Sequence, residues 1–184
     1  HIRNMKRIFP IIATFALLCA GTAAAKVTDY VNPFVGTTNF GTTNPGAICP
    51  NGMMSVTPFN VMGSDLNVYD KDSRWWSTPY CYENKFFTGF SHVNLSGVGC
   101  PELGLVLTMP TMGQVQPDHR IYGSEYTGEH AEPGYYTCDL SAYGIKVEAT
   151  ATTRTSAERY TFPAGRGNIL VNLGEGLTNE TRGW

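Results

Sequence analysis

The clearest pattern along the chain is an alternation of period two over residues 144–152. Ile145, Val147, Ala149 and Ala151 are apolar, and Lys146, Glu148, Thr150 and Thr152 between them are polar. Such an alternation predicts an antiparallel strand with one face on a core and the other in water. Residues 135–140 read as the preceding strand, opened by the turn Glu132-Pro133-Gly134, and residues 157–162 and 168–173 as the next two. The Gly- and Pro-rich stretch 163–167 is the loop between the last pair. Residues 104–109 form an earlier strand that Pro110 is expected to stop, and residues 53–57 a short one after the turn Asn51-Gly52. Beyond the N-terminal segment no helical period lasts ten residues, and no repeat or low-complexity linker appears. Short strands at this spacing predict an all-β fold, an antiparallel β-sandwich. Residues 174–184 add no closing element, so the sandwich is expected to be cut short at its C-terminal end.

The first 25 residues follow a different pattern. Met5-Lys6-Arg7 is basic, residues 8–19 are mostly apolar, and small residues lead to Ala23-Ala24-Ala25. A charged start, a short apolar run and an A-x-A exit predict a secretory signal peptide. The run falls short of the roughly 20 apolar residues that span a bilayer. His1 to Asn4 read as an overhang before the initiator. Cys19 offers lipid anchoring as an alternative, but Leu18 stands where a lipoprotein signal has Gly, Ala or Ser, so soluble export to the periplasm or medium is favoured. Residues 1–25 are thus the overhang and signal, and residues 26–184 the sandwich domain.

Charge and cysteines narrow the partners. The chain has 13 basic and 15 acidic side chains; without Arg3, Lys6 and Arg7 the mature part has 10 against 15, a net charge of −5. An acidic chain without a basic run argues against nucleic acid and anionic membranes. Cys49, Cys81, Cys100 and Cys138 would face an oxidising compartment, where bridged and free states are both open. The absence of C-x-x-C argues against a zinc ribbon.

Residues 30–105 are loop-rich, aromatic and polar together. Within them, segment 89–100 places Ser91, His92, Asn94 and Ser96 among Gly89, Gly97 and Gly99, with Cys100 closing it and Glu102 the only nearby acid. Glycines let a backbone approach a ligand, and such donors and acceptors suit sugar hydroxyls, although a turn satisfying its own backbone has the same composition. Trp75, Trp76 and Tyr80 could stack on the C–H faces of sugar rings; at least one of the adjacent tryptophans fits a core position equally well. The acidic run from Asp65 to Asp72 lacks the Gly and distal Glu of a calcium loop and reads as solvated. Asn94-Leu95-Ser96 and Asn179-Glu180-Thr181 match the glycosylation sequon. Glycoside cleavage needs two flanking carboxyls, and no second acid is plainly placed with Glu102.

Several blocks, in order, carry a resemblance: residues 30–37 (YVNPFVGT), Pro45-Gly46-Ala47, Pro50-Asn51-Gly52-Met53, residues 89–100, Glu132-Pro133-Gly134-Tyr135-Tyr136 and residues 150–155. The set resembles the N-terminal domain of glycoside hydrolase family 92, the exo-acting α-mannosidases of gut Bacteroidetes. The resemblance implies a β-sandwich followed by an (α/α)6 barrel, hydrolysis of terminal α-mannosides with inversion, and a requirement for Ca2+. It puts the acid, the base and the calcium ligands in the barrel. No catalytic residue or metal ligand is therefore expected here. The expected substrate-binding set is Trp75, Trp76, Tyr80, Ser91, His92, Asn94, Ser96, Cys100 and Glu102, and the expected partners are a mannose-containing glycan and the catalytic domain. Two departures stand out: residues 154–160 read Arg-Thr-Ser-Ala-Glu-Arg-Tyr where the family pattern has His at the position of Glu158, and position 94 is Asn where many relatives carry His. The rival reading is a stand-alone carbohydrate-binding module without catalysis.

Overall fold

The computed structural model describes residues 25–38, 41–62, 64–68, 78–94, 104 and 106–174. Residues 25–30 hold only a 3-10 turn, Val27–Tyr30. From Val31 onward the chain forms two five-stranded antiparallel sheets, the predicted all-β sandwich. The strands are β1 (Ala47–Ile48), β2 (Ser55–Phe59), β3 (Phe86–Phe87), β4 (Gly89–His92), β5 (Leu107–Met112), β6 (Ser124–Glu132), β7 (Tyr135–Leu140), β8 (Ile145–Ala151), β9 (Ser156–Thr161) and β10 (Gly167–Asn172). The first sheet runs β1-β2-β4-β5-β10 and the second β3-β6-β7-β8-β9. One helical turn, α1 (His119–Tyr122), links the sheets, its start capped by the Asp118 carboxylate accepting from the Arg120 N–H at 2.9 Å.

The core between the sheets is aromatic at its centre and aliphatic toward β8. Phe90 of β4 meets Phe87 edge-on at 4.8 Å between ring centroids and Tyr136 of β7 at 5.9 Å. Leu140, Ile145, Val147 and Ala149 extend the same cluster along the second sheet. A second cluster, Phe59, Val61, Met62, Cys81 and Leu107, buries the opposite face of the first sheet near β2. Strand β2 is therefore buried at every position and shows no alternation.

The alternating strands lie where the pattern predicts them, within one residue at each end. The other elements depart from expectation for identifiable reasons. Pro110 does not stop β5; it pairs with Ile169 of β10, while β4 reaches only Leu107 and Thr108. Pro58 likewise lies inside β2, opposite Phe90, after the pairing of β1 has ended. In both places one flank of the strand is free, so the missing N–H breaks no ladder bond. Residues 89–92 begin the segment whose composition suits both a ligand-approaching stretch and a self-satisfying turn; they are a strand inside the first sheet. The period of β6 fails because of a β-bulge: Thr127 faces Asp139 and His130 faces Thr137, so Gly128 and Glu129 together oppose Cys138. Gly128 is required there twice over, by a φ of 61° and because a Cβ would come within 2.6 Å of Asp139 Oδ2.

Cys49, Cys81 and Cys138 are free thiols, so for these three the free reading holds; Cys100 lies outside the described residues. Burial, and next the Glu83 carboxylate that accepts the Cys81 thiol at 2.9 Å, push the Cys81 thiol up to about 12.

Strand β10 ends the first sheet with Ile169, Val171 and the following Leu173 each about half exposed. An apolar edge of this kind invites pairing with other chains. Residues 26–184 expressed alone are expected to be poorly soluble, with Ile169→Thr plus Val171→Thr raising the soluble yield; a stable wild-type monomer in sedimentation would contradict this.

Candidate functional site

The end of β4 is where the sequence places its most distinctive polar groups. By strand alternation Phe90 and His92 face the second sheet, and Ser91 faces the opposite way. His92 Nδ1 lies 2.8 Å from the Val106 carbonyl oxygen, so Nδ1 carries a proton. Its Nε2 meets Glu158 Oε1 of β9, on the other sheet. The hydroxyl donors on the other oxygen of Glu158 favour its charged form and, with Nδ1 already protonated, an imidazolium facing it. The other oxygen, Glu158 Oε2, accepts from Thr108 Oγ1 at 2.8 Å and from the Tyr160 hydroxyl; the two hydroxyls are 3.0 Å apart. The result is a closed network of four side chains that ties the first sheet to the second.

The backbone turns sharply after His92. Val93 has a φ of 57°, a left-handed conformation strained for a β-branched residue. Three contacts hold it there: its N–H donates to the Ser55 carbonyl (3.1 Å), its carbonyl accepts from Gly104 N–H (3.1 Å), and the Asn94 N–H donates to Ser55 Oγ (2.9 Å). Asn94 in turn accepts from Ser91 Oγ at 3.0 Å and donates to the Ser91 carbonyl at 3.2 Å.

Residues 30–184 match the glycosyl hydrolase family 92 N-terminal domain. The chain belongs to glycosyl hydrolase family 92. Among solved structures it is similar to a family 92 α-mannosidase of Bacteroides thetaiotaomicron, at 34% identity and a TM-score of 0.72, covering 83% of this chain and 21% of that one. A structure of that enzyme in complex with mannoimidazole aligns at 36% identity and a TM-score of 0.71, covering 83% and 20%. A curated relative, an uncharacterized secreted glycosidase of Arthroderma benhamiae, is 29% identical over 170 residues, which is 84% of this chain and 20% of that protein. The chain thus spans about a fifth of the length of the relatives it matches.

Within this family 92 domain the expected substrate-binding residues divide into three groups. Trp75, Trp76, Ser96, Cys100 and Glu102 lie outside the described residues. Ser91, His92 and Asn94 come together at the end of β4, but each already bonds to protein partners. Tyr80 is fully buried, which corrects its expected place as a stacking platform. The reason lies in its neighbours. Buried Asn60 donates to the Cys81 carbonyl at 2.9 Å and accepts the Cys81 N–H at 2.8 Å, which fixes the backbone so that Tyr80 points inward. Its hydroxyl then donates to Glu129 at 2.9 Å, and the Tyr136 hydroxyl donates to the other oxygen at 2.7 Å.

The residues missed from sequence are Thr108, Glu158, Tyr160 and Glu129. One signal pointed to Glu158: on an alternating strand, Ser156, Glu158 and Tyr160 fall on one face, and an acid on the inward face requires a buried partner. Burial alone would pull His92 down, but the Glu158 carboxylate and the Val106 carbonyl outweigh it and hold the ring above its usual value. Burial would raise Glu158, yet His92, Tyr160 and Thr108 outweigh it and hold that carboxyl below its usual range.

The sign of the resulting pH dependence follows. The His92 contribution is full below the unfolded value of about 6.5 and is lost as pH rises through the higher folded value. The Glu158 contribution is present above about 4.3 and is lost as pH falls through its lowered folded value. Stability of the intact protein is therefore expected to fall more steeply between pH 6 and 9 than that of His92→Gln in urea unfolding. Equal slopes would show that the pair does not form.

Proposed function

We propose that this chain is the N-terminal, carbohydrate-binding domain of a secreted or periplasmic α-mannosidase that hydrolyses terminal α-mannosides with inversion. The observation that carries this reading is the 34% identity to a family 92 α-mannosidase over 83% of the chain. The relative aligned in complex with mannoimidazole supports a mannose-containing substrate, and the secreted fungal relative supports export.

Chemistry divides the labour. Inversion requires a general acid and a general base about 6.5–9.5 Å apart across the scissile bond. Among the described residues the half-buried carboxylates are already engaged: Glu83 by the Cys81 thiol, Glu129 by Tyr80 and Tyr136, Glu148 by Arg159 and Tyr135, and Glu158 by His92. No three His, Cys, Asp or Glu side chains among the described residues converge on one point. We assign the acid, the base and the calcium ligands to the catalytic domain that the relatives' greater length provides for. This domain's own part is to hold the segment after Asn94 on a rigid strand end. No helix among the described residues is long and apolar enough to cross a membrane.

The full-length protein is expected to release mannose from α-linked mannobiosides, to yield β-mannose as first product by NMR, and to stop when calcium is chelated. Absence of mannose release from every linkage with calcium present would overturn the reading. Glycan binding without hydrolysis would favour a binding module.

A further inference from the structure

We propose that an open cleft of about 470 Å³ at the β6 bulge binds a neutral pyranose ring, as a carbohydrate contact beyond the end of β4. It goes beyond the mannosidase reading and does not rest on it. The cleft is lined by Asn32, Phe34, Tyr82, Lys85, Tyr126 and Glu129. Three features combine there. The first is a propped aromatic wall: Tyr82 is 46% exposed, and Phe34 meets it edge-on at 5.8 Å and 70°. The second is an acceptor at the base. The bulge turns Glu129 out of the strand's alternation, and the hydroxyls of Tyr80 and Tyr136 use two of the roughly four acceptor positions of its carboxylate. The third is a donor on an exposed, flexible side chain: the Lys85 ammonium lies over the Tyr82 ring, 5.1 Å from its centre, and donates to the Tyr82 carbonyl at 3.2 Å.

Charge selects among ligands. Glu129 disfavours a phosphate or carboxylate, and Lys85 disfavours an ammonium. A neutral ring with an apolar C–H face and vicinal hydroxyls meets all three features once the exposed Lys85 side chain swings off the Tyr82 ring: the face on Tyr82, one hydroxyl donating to Glu129 and one accepting from Lys85. β-Bulges recur beside binding sites because they re-aim one side chain, and here the re-aimed side chain is the acceptor.

The test uses the full-length protein with photoreactive diazirine derivatives of methyl α-mannopyranoside and methyl α-glucopyranoside, followed by peptide mapping. Labelling is expected on the peptides bearing Tyr82 or Glu129, competed by excess unlabelled glycoside, and reduced about ten-fold in Tyr82→Ala. Lys85→Met, at an exposed position, is expected to lower it as well and guards against a folding defect in the first variant. No competed labelling of these peptides by either probe, or labelling undiminished in both variants, would overturn the proposal. A protein that releases no mannose yet is labelled here would refute the mannosidase reading and leave this one standing.

Discussion

Phe90 packs against Phe87 and Tyr136, and this aromatic stack joins the two sheets at the middle of the sandwich. Burying a Phe side chain contributes about 2–3 kcal/mol by area alone, and edge-to-face rings add about 0.5–1.5 kcal/mol per pair. Against a net stability of about 5–15 kcal/mol for a domain, this contact decides where β4 lies. Two residues further on, the same inward face carries His92 to Glu158. The strand is thus fastened to the opposite sheet twice, once by apolar packing and once by a charged hydrogen bond. The turn at Val93 and the placement of Asn94 follow from a strand that cannot shift.

That arrangement makes the polar residues at the end of β4 a scaffold. Ser91, His92 and Asn94 are of the types that would suit sugar hydroxyls, yet here each is bonded to its own protein. Those bonds fix the exit of the strand. A carboxylate opposite His92 makes a charged pair that a histidine at position 158 would not, because two imidazoles in contact cannot both hold a proton without repulsion.

What could be read from the sequence, and what could not, follows from the range of each signal. Strands β7 and β8 were legible because one face is buried and the other wet, which writes itself as alternation. Strand β4 was not, since its outer face is buried as well and carries polar Ser91 there. Strand β6 changes phase at Gly128, so no single period spans it. Pro110 of β5 looked like a stop because pairing on one flank only is a tertiary fact. The partnership of His92 with Glu158 joins residues 66 positions apart, and only the inward acid on an alternating strand hinted at it. The family was legible from the order of short blocks. Tyr80 was misplaced because the Asn60 bonds that turn it inward are themselves long-range.

The claim that β4 is fastened across the sandwich by the His92–Glu158 pair is tested most directly by a double-mutant cycle. The four proteins are wild type, His92→Gln, Glu158→Gln and the double variant, unfolded in urea at pH 6. A coupling energy of about 1.5–3 kcal/mol is expected for a hydrogen-bonded charged pair with both partners mostly buried. Effects that add to within about 0.5 kcal/mol would contradict the account.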